Sequence, residues 1–370
     1  MSASTSESVP PIAAGKKIIV IGAGIAGLSF ALSLCKQWPT STGHEFPSVT
    51  IYERDTKEAR TGREGYSLSI RSDGLSGGMQ VLHRLNLLER ILRASISFAG
   101  NGSFNLWNTT WESVLVRVYL GNGTTDECDI LIAADGASSK IRTQLRPADR
   151  LTFSGVVCIG ATSRFDSAEA IPRPVNRDWG AVLGGGGVGL FVSPVDSRSA
   201  LWCVSYTTDQ PREKMRHPLS EDQVKFLLTE ALERGNHFSE PFQTLVRATD
   251  PTTLMVFNAM DKQPFRHDST ASPGMSSIIY IGDSNHAMSA FAGNGANMAL
   301  LDGWDLAEQL CGTDSLAAAL RAYDEKSIPR SKTAIRWSRW VISMMHATGW
   351  KLFLYTLLFK AVMLLMRWRK

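Results

Sequence analysis

The stretch that decides the fold is Lys17-Ile18-Ile19-Val20-Ile21-Gly22-Ala23-Gly24-Ile25-Ala26-Gly27. A β-branched apolar run ending in glycine predicts a buried strand, and residues 27–37 follow with helical spacing. The junction is G-x-G-x-x-G, in which Gly22 allows the tight turn, Gly24 lets the backbone approach a pyrophosphate, and Gly27 lets the helix pack on the strand. The helix start then offers unpaired N–H groups and a partial positive charge to phosphates. A second strand, residues 49–52, ends at Glu53, whose carboxylate suits ribose hydroxyls. Its neighbour Arg54 is a further candidate cofactor contact. Glu53 stands 26 residues past Gly27, beyond the usual spacing of about 20, and the loop 39–48 accounts for the excess. These residues predict a dinucleotide site and leave NAD and FAD both open.

Composition bounds the rest. The chain has 370 residues, 44% apolar and 20% charged, which excludes disordered, collagen-like and coiled-coil classes. Its five cysteines are odd in number, widely spaced and free of C-x-x-C, as expected for reduced thiols in a cytosolic enzyme. Residues 1–15 are Ser-rich, lack the apolar run of a secretory signal and are expected to be disordered. The sequons at Asn101, Asn108 and Asn122 read as chance. No histidine has metal-ligand spacing, so no metal is expected.

Further along, residues 82–92 predict a helix, 115–120 an alternating strand before the Gly121-Asn122-Gly123 turn, and 129–134 another apolar strand. From 151 the texture becomes short strands (155–161, 189–193, 200–206, 253–258) with one helix at 220–234, where Ser220 and Gln223 form a capping box and Gly235 is the stop. A last buried strand, 276–281, leads into a glycine-bearing loop and helix.

Two motifs extend the first. Asp135-Gly136-Ala137-Ser138-Ser139-Lys140-Ile141-Arg142 has the form D-G-x-x-S-x-x-R, and Gly282-Asp283 opens a run that reaches Gly293-Asn294-Gly295-Ala296-Asn297. With three motifs in this order, residues 16–340 resemble the single-component FAD-dependent monooxygenases of the aromatic-hydroxylase-like, tetracycline-oxygenase-like group, with a fungal secondary-metabolism character. The resemblance implies an α/β fold: a Rossmann-like FAD-binding domain (16–150 and 272–340) with an inserted β-sheet substrate domain (151–271) and a C-terminal apolar helix. It implies FAD as cofactor and NADPH or NADH as reductant, with one atom of O2 passed to an apolar polycyclic substrate by hydroxylation, epoxidation or Baeyer–Villiger oxidation. Asp283 would hold the flavin's ribityl hydroxyls, and Gly293, Gly295, Ala296 and Asn297 would lie under the ring and stabilise its reduced form. Asp135 and Gly136 would serve FAD and the nicotinamide, and Arg71 would lie near the flavin. His286 would be a structural neighbour rather than a proton carrier, so no side chain is assigned a catalytic role. Trp179, Phe191, Trp202, Tyr206 and Phe257 are candidate pocket walls, each with a plain core role as the alternative. For Asp283 the bland alternative is a helix N-cap, and for Asp135 a turn residue.

The chain departs from that family twice. Ser289 or Ala290 stands where proline usually stiffens the loop, so a looser site is expected. The span 94–128 shows no helix opening with R-x-x-L, whose arginine reaches the FAD phosphates, and some tens of residues are expected to be missing. A catalytically impaired flavoprotein or interaction protein is therefore one alternative, and an NAD-dependent dehydrogenase, which would leave Gly282-Asp283 unexplained, is another.

The charge is uneven. The 39 basic and 35 acidic residues give +4, yet from Lys326 onward there are ten Lys or Arg and no Asp or Glu. The tail 341–370 is apolar, Trp-studded and broken by Lys351 and Lys360. Three arrangements are weighed for it: lying on a membrane surface as an anchor, spanning the bilayer, or packing on the body. The interleaved Leu-rich run argues against nucleic acid as a partner.

Overall fold

The computed structural model describes residues 10–40, 43–54, 70–71, 77–94, 116–119, 125–267 and 277–367. The sequons, the 121–123 turn, residues 1–9 and most of the 94–128 span lie outside the described residues. The protein is mixed α/β, built on two sheets. The first is parallel, in the order β11-β5-β1-β2, from Lys17–Ile21 (β1), Ser48–Tyr52 (β2), Ile130–Ala133 (β5) and Ile278–Tyr280 (β11). A hairpin of Val116–Tyr119 (β3) and Thr125–Cys128 (β4) precedes β5. The central strands are buried on both faces, as parallel strands flanked by other layers must be. Ile25–Gln37 (α1) and Gly295–Gly312 (α8) pack on one face, where Ile18, Val20, Phe30, Leu34 and Leu306 share a core.

The predicted helix at 82–92 is two helices, Gly78–Arg84 (α2) and Leu88–Ala94 (α3). Asn86 between them adopts φ 58°, a left-handed conformation that ends one helix and turns the chain into the next. The short Lys140–Leu145 (α4) follows β5.

The second sheet is antiparallel, in the order β10-β6-β9-β8-β7, from Thr152–Arg164 (β6), Gly180–Gly185 (β7), Val188–Asp196 (β8), Ser199–Thr207 (β9) and Met255–Asp261 (β10). Glu221–Arg234 (α5), with the expected capping box and Gly235 stop, and Phe242–Arg247 (α6) cover one face. There Ile159, Leu190, Trp202, Val204 and Tyr206 meet Leu227 and Phe242. The alternation sends Cys158, Gly160, Gly189, Cys203 and Ser205 to the other face, a floor of small side chains.

That second face receives the chain's longest helix, Leu316–Met345 (α9), which runs through Pro329. Ile342 packs against Val156 and Cys158, His346 Nε2 lies 2.9 Å from Ser205 Oγ, and Arg339 binds Asp261 through two bonds of 2.7 and 2.6 Å. Residues 341–346, read from sequence as the start of a tail, are therefore part of the body. The chain continues as Gly349–Arg367 (α10). Among the described residues no helix is long and apolar enough to cross a membrane.

Candidate active site

Parallel strands place their following loops side by side at the carbonyl ends, where α/β proteins bind ligands. Here three loops interlock. Gly22 N–H donates to Tyr52 O, and Gly22 sits at φ 100°, where a Cβ would lie 2.6 Å from Ala134 O. Ile281 N–H donates to Ala133 O at 3.1 Å, and Ser284 Oγ–H donates to the same oxygen at 2.6 Å. Gly282, φ 59°, lies between α1 and α8, with Ala26 and Ala299 as its nearest neighbours. The starts of α1 and α8 therefore meet at the strand ends. Among the described residues neither N-cap residue, Gly24 or Asn294, makes a side-chain cap bond to its helix, and neither helix has an acid in its first turn. Helix starts of this kind offer backbone N–H donors to a ligand.

Each residue singled out from sequence has a definite place. Gly24 is the N-cap of α1. At Gly27 a Cβ would stand 2.0 Å from Gly22 O, so helix and strand touch there. Glu53 is half-buried, and its Oε2 accepts from Ala23 N–H at 2.9 Å, fastening the glycine loop. Arg54 is exposed beside it. Arg71 also presents an exposed side chain, while its N–H donates to Asn297 Oδ1 at 2.8 Å. Asn297 Nδ2 in turn donates to Gly293 O at 3.1 Å, and Gly293 sits at φ 61° in the turn before α8. Gly295 and Ala296 are the first residues of α8 and half-buried.

Asp135 is buried, and its Oδ2 accepts from Lys140 and Ile141 N–H, so it caps α4 as well as turning the chain. Gly136 holds φ 75°, and an added Cβ would meet no described atom within 4 Å. Asp283 is not the N-cap considered from sequence; Gly282 holds that position and Asp283 begins the four-residue helix Asp283–His286 (α7). Burial pushes the carboxyl groups of both Asp135 and Asp283 up from their ordinary range.

Several supporting residues escaped the sequence reading. Arg142, the last residue of the D-G-x-x-S-x-x-R run, joins that motif to the next. Its guanidinium donates to Ala137 O at 2.6 Å and to Ser284 O at 2.8 Å. Asp302 of α8 roots the loop from behind, accepting from Gly282 N–H (2.8 Å), Ser327 Oγ–H (2.9 Å) and Arg330 (3.0 Å), and pairing with His286 Nε2. Burial opposes charge on both partners. The mutual attraction of His286 and Asp302 outweighs it, raising the imidazole and holding the carboxyl well below its usual range. The signal was present in sequence: Asp302 and Asp305 interrupt an otherwise apolar helix face, and a buried acid needs partners.

Where proline was expected, a serine bonds to α9. Ser289 and Ser338 form a hydroxyl pair at 2.6 Å, with Ser338 Oγ also 2.9 Å from Ser289 O, which ties the loop to α9. Of the candidate pocket walls, Trp202 and Tyr206 face the helices, with Trp202 donating to Thr249 Oγ1 and Tyr206 to Glu230, so they are core. Phe191 and Phe257 flank the small-residue floor, and Phe291 from the Gly282–Asn294 loop packs over it near Cys203. Trp179 is exposed beside Phe191.

Residues 108–338 match the family model described as FAD binding domain. The chain is 33% identical to monooxygenase cfoF of Aspergillus candidus over 90% of its own length and 92% of the relative's. It is 28% identical to FAD-dependent monooxygenase adaC of Aspergillus niger over 89% and 93%. Since 90% of 370 residues is about 333, about 62 of the 395 positions aligned with the Aspergillus candidus protein fall opposite gaps in this chain. Among solved structures, Klebsiella pneumoniae HpxO complexed with FAD and uric acid superposes with a TM-score of 0.68 at 19% identity, covering 92% of each chain. A salicylate hydroxylase substrate complex gives 0.66 at 18% identity, over 93% of each.

Proposed function

Because this chain belongs to the FAD-dependent monooxygenases, we propose that it passes one atom of O2 to an apolar polycyclic small molecule, with NADPH or NADH as reductant. The observation that carries the site is the meeting of two helix starts at Gly282, beside the carboxyl of Asp283. That donor set fits FAD. Backbone N–H groups at Gly24 and the first turn of α1 bind a pyrophosphate, Glu53 accepts from a ribose, and Asp283 accepts from a sugar-like chain of hydroxyls. When bound, the flavin supplies the electron transfer and the oxygen chemistry. The protein contributes the positive end of α8 at Gly295, Ala296 and Asn297, where a reduced ring carries its negative charge. Asn297 holds the Arg71 segment against that helix start, and Asp135 and Gly136 shape the loop through which a nicotinamide would approach. No side chain need attack the substrate. Substrate is assigned to the side of the second sheet where Phe191, Phe257 and Phe291 lie, beside the floor positions that Ile342, Met345 and His346 already cover. In this reading residues 16–150 and 272–340 hold the cofactor and 151–271 the substrate.

The FAD match sets aside the dehydrogenase alternative. A flavoprotein that binds FAD and turns over poorly remains as a second reading, favoured by the aligned positions without counterpart here. Purified protein incubated with FAD and desalted separates them. A yellow protein that oxidises NADPH or NADH faster when a polycyclic phenol is added supports the monooxygenase. Yellow protein with no oxidation at any substrate supports the second reading, and colourless protein defeats both.

A further inference from the structure

Helix α10 carries its apolar residues on the wrong side. Trp350, Phe353, Leu354, Leu357 and Leu358 follow the i, i+3, i+4, i+7, i+8 spacing of a single helix stripe. In a globular protein that stripe meets the core, yet here the five are 69, 66, 50, 54 and 54% exposed. The helix is held to the body by other residues. Leu352 fits against Gly185 at the edge strand β7, and Tyr355 meets the edge of Trp340, which stacks on Trp337 at 4.7 Å. Trp337 and Trp340 are themselves exposed and continue the patch onto α9. An apolar surface of this extent, rimmed by polar residues, marks an interaction site.

Charge selects the occupant. No Asp or Glu follows Glu325, and Lys332, Arg336 and Lys351 are exposed around the patch. A second copy laid face to face would bring these cations together. We propose that the outer face of α10, with Trp337 and Trp340, lies on an anionic lipid surface, its apolar stripe in the headgroup boundary and its cations against lipid phosphates and carboxylates. Lying on the surface agrees with the absence of a helix able to cross it among the described residues. The proposal is independent of the flavin reading, since cofactor absorbance in the vesicle-bound fraction is scored separately.

The test is flotation of the full chain with extruded vesicles of phosphatidylcholine alone or with phosphatidylserine, at low and physiological salt. Binding to the serine-lipid vesicles, weakened by salt, is expected. The double variant Phe353→Glu/Leu357→Glu should lower partitioning by roughly tenfold or more, since burying either side chain is worth about that much, with an unchanged circular dichroism spectrum. Phe226→Glu, at an exposed aromatic on α5 remote from the patch in sequence and element, should float like the parent. Three results overturn the proposal: no flotation with either vesicle, an equal drop for Phe226→Glu, or a dimer in light scattering without lipid that the double variant abolishes.

Discussion

Two glycines of one loop, substituted in turn, should separate cofactor binding from folding. At Gly24 the backbone is extended (φ −67°, ψ 175°) and the nearest atom to an added Cβ is Ala134 O at 3.9 Å, so Gly24→Ala fits the protein. Its methyl enters the space where a pyrophosphate must approach. Losing one charge-assisted N–H contact costs about 1.5–3 kcal/mol, or roughly ten- to a hundredfold in FAD affinity. Folding of the FAD-free protein loses at most about 1 kcal/mol, from alanine at an N-cap. At Gly27 the Cβ would lie 2.0 Å from Gly22 O and 3.0 Å from Val20 Cγ1, against an ordinary contact of about 3.5 Å. α1 would have to retreat by more than an ångström. It cannot retreat cheaply, because α8 crosses it at Gly303, where an added Cβ would lie 2.4 Å from Phe30 N. Gly27→Ala should therefore cost about 3 kcal/mol or more before any cofactor is added. Urea unfolding of FAD-free protein and a fluorescence titration with FAD measure the two effects. Parental FAD affinity in Gly24→Ala would refute the cradle, and parental stability in Gly27→Ala would refute the packing argument.

Other perturbations follow from the same geometry. Asp283→Ala should weaken FAD binding by about tenfold or more, as expected for loss of a bond to a charged group, while leaving the unfolding midpoint nearly unchanged; a large midpoint drop would make Asp283 a structural residue instead. Arg142→Gln breaks the bonds to Ala137 and Ser284 and should destabilise by about 2–4 kcal/mol, seen as a lowered urea midpoint with reduced FAD retention; parental values in both would refute the joining role. The stability supplied by the His286–Asp302 pair is complete between about pH 3.8 and 6.5, falls on acidification through the depressed carboxyl, and falls above pH 6.5 toward the raised imidazole. His286→Asn should flatten the decline above pH 6.5, and an unchanged slope would sink that assignment. Lys262 works in the opposite sense: burial outweighs its contact with Asp149 and lowers it to about 8. Folding should strengthen as pH rises from about 8 to 10.5, and Lys262→Met should abolish that rise in urea titrations across this range.

The cofactor half of the fold was legible because its signals are local. A strand, a glycine turn and a helix start occupy eleven consecutive residues, and Ser220 with Gln223 marked the start of α5 to the residue. What was missed depends on tertiary context. β7 is glycine-rich and lies at a sheet edge, where only pairing with β8 makes Gly180–Gly185 a strand. α9 continues through Pro329 because Pro329 and Glu325, the residue whose carbonyl would have been its partner, both face solvent, so water can take the lost bond. The facing of Trp202 and Tyr206 was undecidable from alternation alone, since either face of that sheet is covered. The supporting residues at the site, Arg142, Asp302 and Arg330, bond to groups up to 142 positions away, and no pattern in one sequence reports such a distance.

α9 has a consequence for motion. Along α9 and its C-cap, Arg330 grips Asp302 and Asp305 of α8, Ser338 holds the loop before α8, Arg339 holds β10, and His346 reaches β9. Parting the two sheets like a clamshell would require breaking several of these bonds at once. If substrate binds between the sheets as proposed, its admission would fall to segments α9 does not touch. For the same reason a truncation meant to remove only α10 must end after His346, because a cut at 340 would remove Ile342 and His346 from the brace between the two sheets.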